Sequence, residues 1–257
     1  MSLLAFSSYA LNGVDAQKFL QGQVTVDTER LAENETRYTA ICDLKGRIHF
    51  GLWLKKNNAE SFEIIVTQDQ AEEFAKHIKK YGAFSKMTLS EQGAVFPKVV
   101  NGHTEFSSTE TDISEWQKQA IMTGQAWIAQ ATEHEFQPQE LRLHQREGVN
   151  YDKGCYLGQE IVARLWFKAK PKHWLHLVQG TGDSPAPATQ LHNDVEVVNS
   201  TQTTDGYIAL VVAKPAALQE LGLQVLDLPE ALSGDVARPV SYTHLTLPTT
   251  NLGCRSR

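Results

Sequence analysis

The chain is poor in three things. Only three of its 257 residues are cysteine (Cys42, Cys155 and Cys254), so no disulfide framework is written into it and a reducing compartment is expected. No apolar run is long enough to cross a bilayer, and the opening Met-Ser-Leu-Leu-Ala-Phe lacks the basic start and long apolar core of a secretory signal. A cytoplasmic protein without membrane contact is therefore expected. Positive charge is also scarce: 24 Lys and Arg face 30 Asp and Glu, a formal net charge of −6. That argues against a broad phosphate-backbone surface and leaves only a local basic patch open. Missing too are a glycine-rich phosphate loop, a zinc-type ligand pairing and a Ser-His-Asp order. His173 and His176 are three apart on an apparent strand, so they point to opposite faces, and Glu133-His134-Glu135 reads as a solvated loop. No metal site is expected.

The rest is the composition of an ordinary globular protein, long enough for one large domain or two modest ones. Asp15 caps a short helix that sets Ala16, Phe19 and Leu20 on one face and ends at Gly22, and Val24-Thr-Val26 follows it. Strands are expected at 38–42, 48–54 and 62–66, the first two joined by the turn Asp43-Leu-Lys-Gly46. Ala71, Phe74, Ala75 and Ile78 give a helix over 70–81, and Val95-Phe96 and Val99-Val100 continue the sheet. The stretch 112–130 is mixed. Beyond the basic connector Lys168–Lys172, short strands at 174–178, 195–198, 206–212 and 223–226 suggest a small barrel or sandwich. Ser241–Arg257 shifts in composition to Thr, Leu and Pro and reads as an appended, non-native or disordered tail.

The most informative stretch is Lys153-Gly-Cys-Tyr-Leu-Gly-Gln-Glu160. It places Cys155 two residues after a lysine, between two glycines, at the mouth of a helix on which Ile161 and Leu165 share a face. A helix N-terminus and a neighbouring lysine both favour a thiolate there, whereas an isolated free cysteine is most often a small apolar filler. Gln21 and Gln23, taken with Asp27, offer paired donors and acceptors suited to a flat heteroaromatic ring, and Asp43 and Lys45 flank a tight turn from which the pair could reach across a cleft mouth. Lys45, Arg47 or Lys153 suits an anionic tail. Taken singly, Gln21-Gly22 reads as a helix end and Asp-x-Lys-Gly as a hairpin turn.

Phe19-Leu-Gln-Gly-Gln-Val-Thr-Val-Asp27 (the first motif), Cys42-Asp-Leu-Lys-Gly-Arg47 (the second) and Lys153–Glu160 (the third), together with Lys80–Lys86 and Phe136–Glu140, resemble the YgfZ family in content and order. That family is similar in fold to the aminomethyltransferase (T-protein) of glycine cleavage. The resemblance implies an α+β fold: an aminomethyltransferase-like folate-binding region over 1–168, a small C-terminal β-barrel over 169–237, and the tail over 238–257. It implies tetrahydrofolate or a derivative as cofactor, Cys155 and Lys153 as the critical pair, and Gly154, Gly158, Gln159 and Glu160 as their frame. The role implied is an accessory one, supporting iron–sulfur enzymes such as a radical tRNA methylthiotransferase, with direct tRNA binding not expected at this net charge. Redox work, transient cluster contact and one-carbon scavenging all stay open for the thiol. Cys42 and Cys155 alone cannot supply the four thiolates of an ordinary iron–sulfur cluster. Two alternatives stand beside this reading: a tetrahydrofolate-dependent aminomethyltransferase, against which Cys at position 155 argues, and a non-catalytic binding module without folate.

Overall fold

The structure, a computed structural model, describes residues 4–100 and 102–238, so the expected 241–257 tail lies outside the described residues. The chain runs β1 (Phe6–Asn12), α1 (Ala16–Gln21), β2 (Thr36–Cys42), β3 (Ile48–Asn58), β4 (Ser61–Thr67), α2 (Ala71–Tyr81), β5 (Thr88–Val100), β6 (His103–Ser107) and α3 (Ser114–Met122). Then come α4 (Gln159–Lys168), β7 (Trp174–Gly180), β8 (Gln190–His192), β9 (Val195–Thr203), β10 (Gly206–Ala213), α5 (Pro215–Glu220) and β11 (Gln224–Leu226).

The first sheet has the order β2-β3-β4-β1-β5-β6, and its pairs are antiparallel. Period-two alternation sends its side chains to two separate cores. Leu11, Phe50, Leu52, Leu54, Phe62 and Ile64 pack against Phe19 and Leu20 of α1 and Phe74 and Ile78 of α2. Phe6, Tyr38, Ala40, Trp53 and Ile65 face the other way, onto Trp116 and Ile121 of α3. Each buried Leu, Ile or Phe among them contributes about 1.5–3 kcal/mol, enough to decide which face points inward.

The second sheet has the order β11-β7-β10-β9-β8. Its strands pair in line, with β11 and β8 at the two edges. An open sheet, rather than a closed barrel, is therefore what the described residues form. Leu175, Leu177, Val198, Ile208, Leu210 and Val212 share one core with Tyr38, Trp53 and Trp116, so a single apolar cluster runs across the 168/169 connector. The segment 125–128 joins the two sheets. Trp127 N–H donates to Asn199 Oδ1 (3.0 Å), Asn199 Nδ2 donates to Trp127 O (2.9 Å), and Ile128 N–H donates to the Tyr38 hydroxyl (3.1 Å). After α1 the chain makes a single bridge to the sheet, from Val24 to Ile41. Thr25 and Thr39 explain this: both hydroxyls donate to Gly148 O (2.7 and 3.0 Å), which turns the segment toward the Lys153 loop.

Three histidines bear on acid stability. Burial pushes His77, His144 and His176 down to about 4. The unfolded chain takes up these protons below its ordinary value of 6.5 while the folded chain resists until about 4. Stability is therefore fully present above pH 6.5 and is lost as pH falls toward 4. Urea unfolding midpoints should drop across this window. A flat profile would show that these imidazoles titrate normally.

Candidate functional site

Three motifs distant in sequence interlock here. Leu157 N–H donates to Gly22 O (3.1 Å), and Asn150 N–H to Thr25 O (2.9 Å). Asp27 N–H donates to Asn150 Oδ1 (2.8 Å). Lys153 is buried, and its Nζ donates to Val24 O and Val26 O, each at 2.7 Å. It also lies 5.1 Å from the Tyr156 ring centroid. Burial pushes its ammonium down to about 8. Lys153 thus ties the first motif to the cysteine loop and is not extended toward an anionic tail in solvent.

Gln21 and Asp27 are likewise turned inward. Gln21 Nε2 donates to Asp27 Oδ1 (3.0 Å), while its Oε1 accepts from the backbone and hydroxyl of Thr28 (both 2.8 Å). Their donor and acceptor edges hold the 21–28 loop, whose link to the sheet is the single bridge at Val24. Gln23 Oε1 meets His77 Nε2 at 2.9 Å. Asp43 closes the hairpin turn: Oδ1 accepts from Lys45 N–H and Arg47 N–H (2.8 and 3.0 Å), and Oδ2 meets His134 Nδ1 (3.0 Å).

Helix α4 starts at Gln159, with Gly158 as its cap at φ 79°. Cys155 therefore lies four residues upstream in irregular chain, outside the first helical turn where the dipole acts. Two glycines around it keep the segment from entering the helix. The thiol is solvent-exposed, as is Gly154, whereas Cys42 is buried, and burial pushes the Cys42 thiol up. Gln159 Nε2 reaches Lys153 O and Gly154 O (3.4 and 3.5 Å), bracing the loop from below. Glu160 and Arg164 are exposed on α4.

Two clefts bear on ligand binding. One, of about 350 Å³, is lined by Asp43, Leu44, Lys45, His49, His77 and Leu157 among others, so motifs two and three meet at it. The other, of about 610 Å³, holds none of the expected site residues. Its walls include Tyr38, Trp53 and Trp116, with Arg37, Glu105, Arg146 and Glu147 among its polar groups. Arg37 bridges Glu35 and Glu147. Arg146 donates to Thr123 O (2.9 Å) and has no carboxylate within 4 Å among the described residues. Burial pushes its guanidinium down. An aromatic wall and a half-buried cation lacking a counterion suit a flat ring carrying a carboxylate. Sequence reading passed over these residues. The available signal was Tyr38 and Trp53 on adjacent strands, each a large ring carrying a polar atom.

No family model matches the chain. It is 31% identical to a Haemophilus influenzae protein named only "Uncharacterized protein", over 67% of this chain and 70% of that one. It is 29% identical to the "tRNA-modifying protein YgfZ" of Vibrio atlanticus, over 90% and 84% of the two chains. The protein of the same name from Cronobacter sakazakii is 27% identical, over 74% and 75%. Among solved structures, the glycine cleavage system aminomethyltransferase T from Bartonella henselae superposes with a TM-score of 0.63 at 13% identity, covering 82% of this chain and 76% of that one, a likeness of fold. Motif order, interlocked geometry and these relatives agree: the chain belongs to the YgfZ family.

Proposed function

We propose that the protein binds tetrahydrofolate in the 610 Å³ cleft and acts as an accessory factor in tRNA modification, with Cys155 as its reactive group. The observation that carries the reading is Arg146, a cation at an aromatic-walled cleft with no carboxylate partner among the described residues. Trp53, Trp116 and Tyr38 would flank the ring system, and Arg146 would pair with the glutamate carboxylate. When bound, the folate supplies one-carbon chemistry. The relatives' name, tRNA-modifying protein, supports the RNA-modification role. Iron–sulfur enzymes such as a radical tRNA methylthiotransferase are the partners this reading assigns. In it, residues 1–168 form the folate-binding region, and the following unit adds Pro229, Ala231 and Leu232 to the cleft wall.

The test is calorimetry with tetrahydrofolate under anaerobic conditions. Wild type should bind saturably, and Arg146→Gln should bind about tenfold or more weakly. Folded wild type that fails to bind would remove the cofactor from the reading. Cys155→Ala should keep folate affinity and lose support of tRNA modification in cells; unimpaired cells would remove the thiol instead.

A further inference from the structure

The smaller cleft, near the Cys155 loop, has a chemistry of its own. Helix α2 turns Glu73, Lys76, His77, Lys80 and Tyr81 toward it, the i, i+3, i+4, i+7, i+8 spacing of one helical face. The β2–β3 turn supplies Leu44 and Lys45 from the other side. Its carboxylates are already engaged. Asp43 is consumed by its own turn and His134, and Glu73 lies 3.7 Å from Lys76, which also pairs with Glu72. Lys45 and Lys80 have no carboxylate within 4 Å among the described residues. Lys80 Nζ sits 5.2 Å from the Tyr81 ring centroid, and the His77 ring packs 4.5 Å from the same ring. In its wall Leu44 is 78% exposed, and Phe84, three residues after Tyr81 in the chain, is fully exposed.

Unpaired lysines beside a partly exposed aromatic ring, Tyr81 at 45%, suit a single-stranded nucleic acid, which offers a base to stack and a phosphate to pair. A duplex, with its bases stacked internally, has no use for such rings. The cleft volume of about 350 Å³ falls in the range of small-ligand sites.

We propose that this cleft binds a nucleotide of a single-stranded RNA segment, its base against Tyr81 and its phosphate at Lys45 and Lys80. The site is separate from the tetrahydrofolate cleft, and its binding does not depend on that reading. It also fits the overall negative charge, since the lysines form a local patch and not a broad surface.

Fluorescence anisotropy with a short labelled single-stranded RNA tests this on the full chain. Wild type should bind saturably and prefer single strand to duplex. Tyr81→Ala should weaken binding about five- to hundredfold. Lys45→Ala/Lys80→Ala, which frees one phosphate, should lower the slope of log affinity against log salt by about 0.7. Both variants change exposed side chains, and circular dichroism checks their fold. Equal binding by wild type and both variants, or no binding at low salt, overturns the proposal. Unlabelled adenosine monophosphate separates the sources: competition as strong as that of the RNA strand would assign the cleft to a free nucleotide and overturn the RNA assignment. Arg146→Gln should bind the RNA as wild type does.

Discussion

Replacing Lys153 by alanine is expected to cost the fold about 2–5 kcal/mol, because Val24 O and Val26 O lose their buried donor together. Each orphaned carbonyl costs about 1–3 kcal/mol, and the loop carrying Cys155 loses its tie to the first motif. Arginine should not rescue, since its planar fork is longer than the compact ammonium the site encloses. A second signature lies in pH. Burial places the folded-state value at about 8 against an ordinary 10.5. Between these values the unfolded chain holds a proton the folded chain has released, so stability rises with pH across the window. The advantage of wild type over Lys153→Ala should therefore widen from pH 8 to 10.5 in urea unfolding, by at most about 3 kcal/mol. A constant difference would mean that the two carbonyls solvate the ammonium as well as water does. A variant as stable as wild type would refute the structural role altogether.

The sequence was legible where one face of an element is polar. Helix α2 reads directly from Ala71, Phe74 and Ile78, and β3 and β4 from their apolar runs between turns. Strand β1 was not read, although it sits between β4 and β5 in the first sheet. Its residues Phe6–Ala10 have both faces covered, with Ser7 and Ser8 buried among apolar neighbours, so no alternation marks it. The closure expected of the second sheet is not confirmed among the described residues, for a different reason. Strand spacing constrains the number of strands and says nothing of whether the first and last pair.

The site divides in the same way. That the motifs belong together was legible from their order. What each side chain does was not, because a polar residue type does not reveal its partner. Gln21 and Asp27 satisfy one another, and Lys153 satisfies two carbonyls 127 and 129 residues away in sequence. Contacts at that separation leave no local signal. Arg146 and Trp116 were missed on the same ground, since the cleft they line is assembled from both sheets' surroundings.

The two glycines beside Cys155 should behave oppositely when changed to alanine. Gly158 has φ 79°, and a Cβ there would meet Asp43 O at 2.3 Å and the Cys42 Cβ at 3.0 Å. The left-handed backbone costs a non-glycine residue about 1–2 kcal/mol. Forcing the hairpin away from α4 adds about 1–3 kcal/mol, since the obstacle is backbone and not a flexible side-chain end. Gly158→Ala should thus lose about 2–5 kcal/mol and loosen the contact between the second and third motifs. Gly154 is exposed, has an ordinary φ, and a Cβ there would meet nothing within 4 Å. Its alanine variant should unfold within about 0.5 kcal/mol of wild type. Thermal and urea unfolding of the pair measures the contrast, and equal stabilities would refute the interlock. The contrast also separates scaffold from chemistry. Any loss of cellular function in Gly154→Ala arises at the surface around the exposed thiol, since the fold beneath it is unchanged; in Gly158→Ala, loss of function and loss of stability should come together.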